Sequence, residues 1–511
     1  MTKILDCTLR DGGYYNNWDF SKSIVDKYIK STNELPVEYL EIGYRSIPAK
    51  EYLGKYGYCP VFELEDIRTK STKKLAIMLN EKEVRPEHLT TLLDPIVGLV
   101  DMVRMAIDPN NVERALVLAE SVKKRGFEIG FNVMYRSRWK EQANFLNKLK
   151  NIDGVADIFC MVDSFGGVTP KDLKEIIDLV RSNTNTPIGF HGHNNLEMAL
   201  INSLTAIEQG VDYVDATVLG MGRGAGNLKL ELLLTYLNKE YELEVDFNAL
   251  GNIVSSFNEL LKKYEWGTNL PYMISGANSL PQKDVMDWVS TRLYSLNSIV
   301  RALENKKMKV ADNDKFPIFN APEVENVLII GGGKNSVEHI RGIREFIGKN
   351  DNMTIIHASS KNAHLFKDLS NQQLFCLIGS EGQRMEQVFE GLGNFKGQCI
   401  LPPYPRKMGT EVPSLVYEKT YELENIDFTD LYKDSCTALA LQAAMDMDAK
   451  NIYIAGYDGY QDMLLSQKER DLTNENEYIF SAFKNSFKGR FVSLTPTIYN
   501  DLHVESVYQN F

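Results

Sequence analysis

The sequence predicts an α/β protein: an N-terminal (β/α)8 barrel with a helical extension, followed by a smaller, doubly wound α/β domain. Eight short apolar segments alternate with amphipathic helical patterns over roughly the first 240 residues, as the strands and helices of a barrel do. Polar side chains cluster where these apolar segments end, and in a barrel all such ends meet on one face. A doubly wound open sheet is the alternative that the same alternation allows.

The elements predicted for the barrel follow one another along the chain with short connections. Apolar runs of strand length, separated by segments with apolar residues three and four apart, distinguish the two kinds of element. The predicted strands span residues 3–7, 38–43, 74–79, 101–107, 128–134, 157–162, 188–193 and 213–218. The predicted helices span residues 21–33, 84–94, 110–124, 137–150, 170–182, 194–209 and 227–238.

Composition divides the chain into four predicted segments. Residues 1–275 form the barrel, residues 276–310 are the helical extension, and residues 311–325 are a polar, aperiodic linker with two prolines. Residues 326–511 form the second α/β domain. Its predicted strands begin at residue 326 and span residues 353–359, 374–379, 414–419 and 451–459.

Composition and charge exclude several classes of function. A net charge of −12 argues against a nucleic-acid-binding protein, which usually has a basic face. No apolar run approaches the length of a membrane span, and the first residues enter a strand without a signal peptide. The six cysteines form no CxxC pair and are expected to be buried, reduced thiols, so a cytoplasmic protein is predicted.

The segment GFHGHNN contains the strongest local signal. His191 and His193 lie two residues apart on a predicted strand, so both side chains point to the same face. Two neighbouring imidazoles at a strand end suit a divalent metal ion. A pair of core histidines held by hydrogen bonds is the alternative, and the HxH pattern alone does not decide between the two.

Arg10 and Asp11 give the histidine pair its chemical partners. One carboxylate with two neutral imidazoles makes a three-ligand set that leaves positions open for water and substrate oxygens, as catalytic metal sites do. The planar cation of Arg10 is suited to hold the enolate oxygen that develops when a 2-oxo acid loses a C–C bond. An exposed ion pair in a turn is the alternative interpretation of these two residues.

Four more polar residues at strand ends are candidates for substrate binding: Glu41, Asn132, Asp163 and Ser164. A glycine loop then follows the last predicted strand. Asn227 ends this loop, where it either caps the next helix or reaches the metal. The loop lacks the spacing of a nucleotide-binding loop, so no nucleotide is predicted there.

Three motifs in this order, TLRDGG, HGHNN and GMGRGAGN, resemble the DRE-TIM metallolyase superfamily, and most of all its 4-hydroxy-2-oxovalerate aldolase branch. The resemblance covers the barrel segment and implies a (β/α)8 barrel that binds Mn²⁺ or Mg²⁺ through Asp11, His191 and His193. It also implies that Asn227 is a further metal ligand and that Arg10 stabilises an enolate. Imidazole ligands favour Mn²⁺ of the two metals.

One position departs from that resemblance. The aldolase branch has a histidine, thought to act as the base, where this chain has Tyr14. A phenol ordinarily has a pKa near 10, well above that of imidazole. Tyr14 is therefore predicted either to need the metal or Arg10 to serve as a base, or to act as an acid while a metal-bound water takes the proton.

The predicted function is that of a divalent-metal-dependent carbon–carbon lyase that cleaves or forms a 4-hydroxy-2-oxo acid through a pyruvate-type enolate. Its predicted partners are a small 2-oxo acid and an aldehyde, without nucleic acid or membrane, and a homo-oligomer stays open. One alternative is an acyl-CoA-dependent condensing enzyme of the isopropylmalate or homocitrate synthase type. The other is a barrel that serves as the scaffold for a domain that binds a nucleotide sugar.

The second domain has candidate residues of its own. Gly331, Gly332 and Gly333 follow its first predicted strand, where backbone amides could hold a phosphate. Asp458 ends a strand at the edge where open α/β sheets bind ligands. With residues 434–460, this region resembles a Rossmann-like family that includes archaeal pterin pyrophosphokinases and some bacterial sialyltransferases. A nucleotide or sugar nucleotide is the ligand that this implies, and a tight strand-to-helix turn is the alternative.

Overall fold

The structure, a computed structural model, divides into two compact units, residues 1–286 and 287–511. It describes residues 2–50, 52–134, 139, 143–290, 296–310, 314–350, 352–393, 395–406, 410–460 and 467–510. The segment boundaries predicted at residues 275, 310 and 325 stay predictions. Among the residues that the structure describes, no helix combines the length and the apolar character that crossing a membrane requires.

Eight parallel strands close the first unit into a barrel, because each strand pairs with its neighbours in chain order and the last pairs with the first. The predicted barrel is confirmed, and the open sheet is excluded for this unit. The strands are β1 (Lys3–Asp6), β2 (Tyr39–Tyr44), β3 (Lys74–Asn80), β4 (Met102–Ile107), β5 (Glu128–Val133), β6 (Ile158–Asp163), β7 (Ile188–Gly192) and β8 (Tyr213–Ala216).

Helices surround the barrel and continue beyond it. The α-helices described here are Thr8–Asn16, Lys22–Asn33, Lys55–Tyr58, Val61–Lys70, Leu89–Leu92, Val112–Lys123, Ala143–Lys148, Pro170–Arg181, Ala199–Glu208, Leu230–Tyr241, Phe247–Tyr264, Leu270–Ala277 and Gln282–Ser290. Short 3₁₀ turns lie at Pro86–His88, Asp94–Ile96, Pro109–Asn111, Leu149–Ile152 and Val218–Gly220. The helix predicted at 84–94 is therefore broken into short pieces, two of which contain a proline near their start.

The helix Pro170–Arg181 shows how local sequence fixes an element behind the site. The Thr169 hydroxyl accepts from the amide of Asp172, the Asp172 carboxylate accepts from the amide of Thr169, and proline occupies the first helical position. Its buried face consists of Leu173, Ile176, Ile177 and Val180. Because these side chains follow the helical spacing, the helix packs one apolar stripe on the barrel.

The segment that contains Arg10 is a helix, Thr8–Asn16, where the sequence predicts none. Two consecutive glycines, each costing about 1 kcal/mol relative to alanine in a helix, argue against helix formation from the pattern alone. Tertiary packing explains one of them, since a Cβ on Gly13 would lie 2.0 Å from the indole of Trp18. The same indole donates a hydrogen bond from Nε1 to the Arg10 carbonyl at 2.8 Å, which fixes the backbone that presents Arg10.

The second unit is built on an open sheet of eight parallel strands, as predicted for a doubly wound domain. In spatial order the strands run β13–β12–β11–β10–β9–β14–β15–β16. Strands β10 to β13 are therefore added on one side of β9 and strands β14 to β16 on the other, so the strand order reverses between β9 and β14. The strands are β9 (Asn326–Ile330), β10 (Thr354–His357), β11 (Gln373–Cys376), β12 (Gln398–Leu401), β13 (Thr420–Glu422), β14 (Asn451–Ala455), β15 (Arg490–Ser493) and β16 (His503–Val504). Its α-helices are Leu296–Met308, Asn335–Glu338, Ile340–Gly348, Glu381–Val388, Cys436–Asp446 and Gln467–Ser486, with 3₁₀ helices at Ser360–Phe366, Ser414–Lys419 and Val507–Asn510.

One predicted strand of the second unit is wrong. Residues 414–419 form a 3₁₀ helix in which only Val416 is buried, and the strand β13 follows it directly. Strands β12, β15 and β16 were not predicted either. Strands of two to four residues hold too few residues for a periodic pattern to reveal them reliably.

His357 makes the stability of the second unit sensitive to acid. Its ring is buried at the end of β10, stacks on Phe375 with centroids 4.5 Å apart, and hydrogen bonds through Nε2 to Oε1 of Gln373 at 2.9 Å. Burial lowers the pKa of His357 to about 4, although the bond to Gln373 opposes this. The unfolded chain binds a proton below about pH 6.5 and the folded chain does not, so stability falls as pH drops from 6.5 toward 4.

We therefore expect the free energy of unfolding of the second unit to fall by about 2 kcal/mol between pH 7.5 and pH 5 because of this residue alone. Hydrogen-exchange protection factors of the β10 amides at the two pH values measure the loss, and His357→Leu should remove most of it. His503→Leu is the matched control because His503 is exposed. An unchanged pH dependence in the His357→Leu protein would contradict the prediction.

Candidate active site

Asp11, His191 and Asn227 come together at the C-terminal ends of the barrel strands. Nε2 of His191 lies 3.5 Å from Oδ2 of Asp11, and Nδ2 of Asn227 donates to the same carboxylate oxygen at 2.7 Å. His193 adjoins them, with its ring centroid 4.9 Å from that of His191 and its backbone bridged to that of Asn227. Thus Asp11, His191 and Asn227, from the first helix, β7 and the last glycine loop, lie in direct contact, and His193 stands next to His191 just beyond β7.

Both histidines use the same ring nitrogen, Nδ1, for a hydrogen bond to a neighbouring strand. Nδ1 of His191 pairs with Oδ2 of Asp215 at 2.9 Å, and Nδ1 of His193 pairs with the carbonyl of Asp163 at 2.7 Å. A carboxylate and a carbonyl accept hydrogen bonds, so each Nδ1 bears a proton and Nε2 is the nitrogen left for a ligand. Burial, followed by the neighbouring His191, lowers the pKa of His193 to about 4, so this imidazole is neutral.

The residues present fit a divalent metal ion. Oδ1 of Asn227 is buried without a hydrogen-bond partner, which is costly for an amide oxygen unless a cation takes it. Burial favours the protonated form of Asp11, but Arg10 and the two histidines outweigh this and lower its pKa. Neighbouring ligands of an ion with bonds of about 2.1 Å lie about 3 Å apart, close to the observed separation of Asp11 and His191.

Cys7 lies beside the cluster but is a poor ligand. Its Sγ is 3.7 Å from Oδ2 of Asp11, and the two could share an ion with His191 by distance alone. Burial, then the charge of Asp11, raises the pKa of Cys7 well above its usual value, whereas metal binding requires the thiolate. Cys7 is therefore a thiol that donates to Asp11. All six cysteines are unpaired, as predicted.

Arg10 is buried and held on two sides. Its Nε donates to Oε2 of Glu41 at 2.8 Å, and its Nη1 pairs with Oδ1 of Asp11. These bonds use two of the five N–H donors of a guanidinium and leave others for a substrate oxygen. Burial opposes the charge, but Asp11 and Glu41 together raise the pKa of Arg10, so the cation is permanent.

A second buried arginine, Arg104, links the two halves of the site. Its Nη1 lies 3.1 Å from Oε2 of Glu41, and its Nη2 lies 2.6 Å from Oδ2 of Asp215. Since Glu41 holds Arg10 and Asp215 holds His191, one continuous chain of hydrogen bonds connects Arg10 to His191. Burial would raise the pKa of Asp215, but Arg104 and His191 lower it to about 2.

Arg104 and Asp215 were missed by the sequence analysis. The available signal was a single charge inside an apolar strand, in MVRMAI of β4 and YVDA of β8. A charge that is fully buried in a strand must be paired. Two such charges of opposite sign therefore predict a bond across the barrel, where alternate strands contribute inward-facing side chains.

Tyr14 stands at the outer edge of this cluster, one helical turn after Asp11. Its hydroxyl is 3.1 Å from that of Tyr44, at the end of β2, and its ring meets Trp18 edge to face at 4.9 Å. The guanidinium carbon of Arg223, from the glycine loop, lies 4.3 Å from the centre of the Tyr14 ring. The residue that replaces the expected histidine therefore has a second phenol and a cation as neighbours.

The predicted substrate-binding residues occupy different positions. Glu41 is fully buried and bonded to both arginines, so its place in the structure is that of a positioning group. Asp163 accepts from the amide of Val168 at 3.2 Å, which closes the turn after β6. Asn132 is buried in β5 with an unpaired Oδ1, and Ser164 lies half-buried beyond β6. Their roles in binding stay predictions.

Comparison with known proteins agrees with this geometry. The family model described as HMGL-like matches residues 102–255. A 4-hydroxy-2-oxovalerate aldolase from Geobacillus genomosp. 3 is 31% identical over 242 residues, which are 46% of this chain and 70% of that protein. The chain belongs to the HMGL-like, or DRE-TIM metallolyase, family. It is accordingly a lyase-type enzyme of that class, as the three motifs indicate.

Two further relatives show which share of this HMGL-like chain is covered by known proteins. An oxaloacetate decarboxylase from Mycobacterium tuberculosis is 26% identical over 265 residues, which are 50% of this chain and 75% of that protein. The crystal structure of the N-terminal domain of a candidate aldolase from Bacteroides vulgatus is 65% identical, with a TM-score of 0.57, and covers 59% of this chain and 99% of that one. These matches reach about as far as the barrel unit.

In the second unit of the HMGL-like chain, the predicted glycines and Asp458 do lie together, at the place where the strand order reverses. The amide of Gly333 donates to the carbonyl of Gly456 at 2.9 Å, and Oδ2 of Asp458 accepts from the amide of Asn335 at 3.0 Å. A Cβ on Gly333 would lie 2.7 Å from the Asp458 carboxylate. The carboxylate thus covers part of the loop, and nucleotide binding there stays a prediction.

Arg104 should be indispensable for the stability of the barrel. Arg104→Met leaves Glu41 and Asp215 buried with a lost partner, so we expect the free energy of unfolding to fall by about 3–5 kcal/mol. Denaturation of the barrel can be followed by tryptophan fluorescence. Lys22→Met is the matched control, since the Lys22–Asp66 pair is exposed and should matter by less than about 1 kcal/mol. Equal losses in the two variants would contradict the prediction.

Proposed function

We propose that the barrel of this chain is a divalent-metal-dependent aldolase that cleaves or forms a 4-hydroxy-2-oxo acid by way of a pyruvate enolate. The observation that carries the proposal is the cluster of Asp11, His191 and Asn227 with an unpaired amide oxygen, next to the buried cation of Arg10. Such a site binds an anionic oxo acid and favours the build-up of negative charge on its keto oxygen.

The names of the relatives support the same chemistry. A 4-hydroxy-2-oxovalerate aldolase and an oxaloacetate decarboxylase both match the barrel. Loss of an aldehyde from a 4-hydroxy-2-oxo acid and loss of CO₂ from oxaloacetate leave an electron pair on the carbon beside the keto group. In either case the product is the enolate of pyruvate, so one site could stabilise both reactions.

Four residues would hold the ion: Asp11, His191, His193 and Asn227. When bound, Mn²⁺ or Mg²⁺ supplies a Lewis acid for the keto and carboxylate oxygens of the oxo acid. Asp215 and the carbonyl of Asp163 keep both imidazoles in the tautomer that ligation needs.

Arg10 stabilises the charge that appears during C–C cleavage. Its bonds to Glu41 and Asp11 fix the guanidinium before substrate arrives, so little reorganisation is needed when negative charge develops. In the cleavage direction the C3–C4 bond breaks and its electron pair becomes the C2–C3 double bond of the enolate. The keto oxygen then bears the negative charge, and the N–H donors of Arg10 that remain free bind it.

Tyr14 moves the proton of the C4 hydroxyl. As that hydroxyl loses its proton the C4–O bond becomes a carbonyl, and an aldehyde leaves as the C3–C4 bond breaks. The enolate carbon C3 afterwards takes a proton to give pyruvate. Because the Tyr14 and Tyr44 hydroxyls are hydrogen bonded, Tyr14 accepts this proton as its own phenol proton passes to Tyr44 and one proton leaves the pair to solvent, from which C3 later takes one.

The metal requirement is tested by removing a ligand. We expect His191→Ala to release no pyruvate above background and to retain no metal, measured by a coupled pyruvate assay and by elemental analysis. Wild-type protein stripped with a chelator should regain turnover with Mn²⁺, and His88→Ala, a half-buried histidine of the same unit, should behave as wild type. Full turnover by the His191→Ala protein after chelation would refute the proposal.

The choice of substrate distinguishes the related reactions in the same assay. Pyruvate from a 4-hydroxy-2-oxo acid supports the aldolase. Pyruvate from oxaloacetate alone indicates a decarboxylase, and free thiol released from acetyl-CoA indicates the condensing enzyme that the sequence left open.

Tyr14 is tested by separating its step from enolate formation. Tyr14→Phe should lower the rate of C–C cleavage by about 10²- to 10⁴-fold, because the proton of the C4 hydroxyl loses its acceptor. Exchange of the pyruvate methyl protons with D₂O, followed by NMR, should persist because it does not involve that hydroxyl. Tyr15→Phe is the control, since the Tyr15 hydroxyl donates to the Gly224 carbonyl. Equal loss of exchange and cleavage in Tyr14→Phe would contradict the assignment.

A further inference from the structure

Arg223 is a cation at the site, and none of the carboxylates that the structure describes forms an ion pair with it. It lies in the glycine loop, half-buried, and among the residues described it forms no ion pair. Its guanidinium carbon lies over the face of the Tyr14 ring, 4.3 Å from the ring centre. An arginine ordinarily finds a carboxylate or phosphate, for which its planar fork of donors is suited.

The loop around Arg223 is held against the metal-binding asparagine. A Cβ on Gly222 would lie 2.5 Å from Nδ2 of Asn227, so the backbone just before Arg223 touches the residue that completes the cluster. The other residues between 221 and 228 are buried. Arg223 thus projects from a closely packed loop, and its base cannot move away from the site.

The spacing of Asp11 and Tyr14 along their helix corresponds to the length of a short carbon chain. Asp11 and Tyr14 are three residues apart on the helix Thr8–Asn16, which places their Cβ atoms about 5–6 Å apart on one side of the helix. That is the length of a chain of four to five carbons. A substrate whose oxo acid lies at Asp11 therefore brings its far end to the Tyr14 ring and the guanidinium above it.

We propose that Arg223 determines specificity by binding an anionic group, a carboxylate or a phosphate ester, at the end of the substrate remote from the oxo acid. This inference rests on the proposed aldolase function and names its substrate class: 4-hydroxy-2-oxo acids with a second, distal anion, which yield a negatively charged aldehyde. Stacking on Tyr14 orients the guanidinium before the substrate binds and leaves its N–H edge free to donate.

Binding of unreactive oxo acids tests Arg223 without relying on turnover. With the full chain and Mn²⁺, calorimetry should show 2-oxoglutarate binding at least about tenfold more tightly than 2-oxopentanoate, which lacks the second charge. In Arg223→Gln the ratio of the two affinities should fall to near one, and Arg223→Lys should restore part of it. Lys229→Gln, which removes an exposed charge from the same segment, should keep the wild-type ratio.

The outcomes separate this inference from the aldolase proposal. A wild-type ratio near one, an unchanged ratio in Arg223→Gln, or no binding of either acid overturns the role of Arg223. Pyruvate released from 4-hydroxy-2-oxopentanoate, which has no distal anion, together with a ratio near one would leave the aldolase proposal intact and contradict only the inference about Arg223. A 2-oxo acid that ends in a phosphate ester is titrated in parallel with 2-oxoglutarate. The ligand whose affinity falls more in Arg223→Gln identifies whether Arg223 binds a phosphate ester or a carboxylate.

Discussion

The bonds of Arg104 to Glu41 and Asp215 are the interactions on which the rest of the site depends. All three groups are buried, and removing them from water is costly unless each charge is paired. Glu41 in turn fixes Arg10, and Asp215 fixes the tautomer of His191. With Asp11 included, the cluster has three carboxylates and two guanidiniums. The carboxylates outnumber the guanidiniums by one, a balance that favours a cation beside the histidines.

The barrel could be predicted from the sequence because its signal is repeated. Eight parallel strands, buried on both faces, give apolar runs whose bounds agree with the structure to within two residues. The histidine pair and Asp11 could be predicted for a similar reason, since their polar side chains interrupt apolar segments at the same relative place. Helix Thr8–Asn16 could not, because Gly13, one of its two glycines, is required by the Trp18 indole, which lies outside the helix.

The interactions of the site that could not be predicted from the sequence are those that pair residues across the barrel. Arg104 and Asp215 are separated by 111 positions, and each alone is an isolated charge in an apolar strand. Their meeting follows only from closure of the barrel. The short edge strands β13 and β16 of the second unit were missed for the opposite reason. Their pairing is local, but two or three residues hold too little pattern to distinguish a strand from a turn.

The two ends of the site differ in how they are held, and this difference separates the groups tied to the buried ion pairs from those that face the rest of the substrate. At the inner end, Asp11, His191 and Arg10 are buried and bonded on more than one side, so a small change there disturbs several groups. At the outer end, Tyr14 and Arg223 are half-buried and meet through one stacking contact. A substitution at the outer end alters what binds beyond the oxo acid without disturbing the buried ion pairs. In the proposed reaction the inner end fixes the enolate and the outer end faces the leaving aldehyde, so a change at Arg223 can alter the aldehyde while the pyruvate half stays the same.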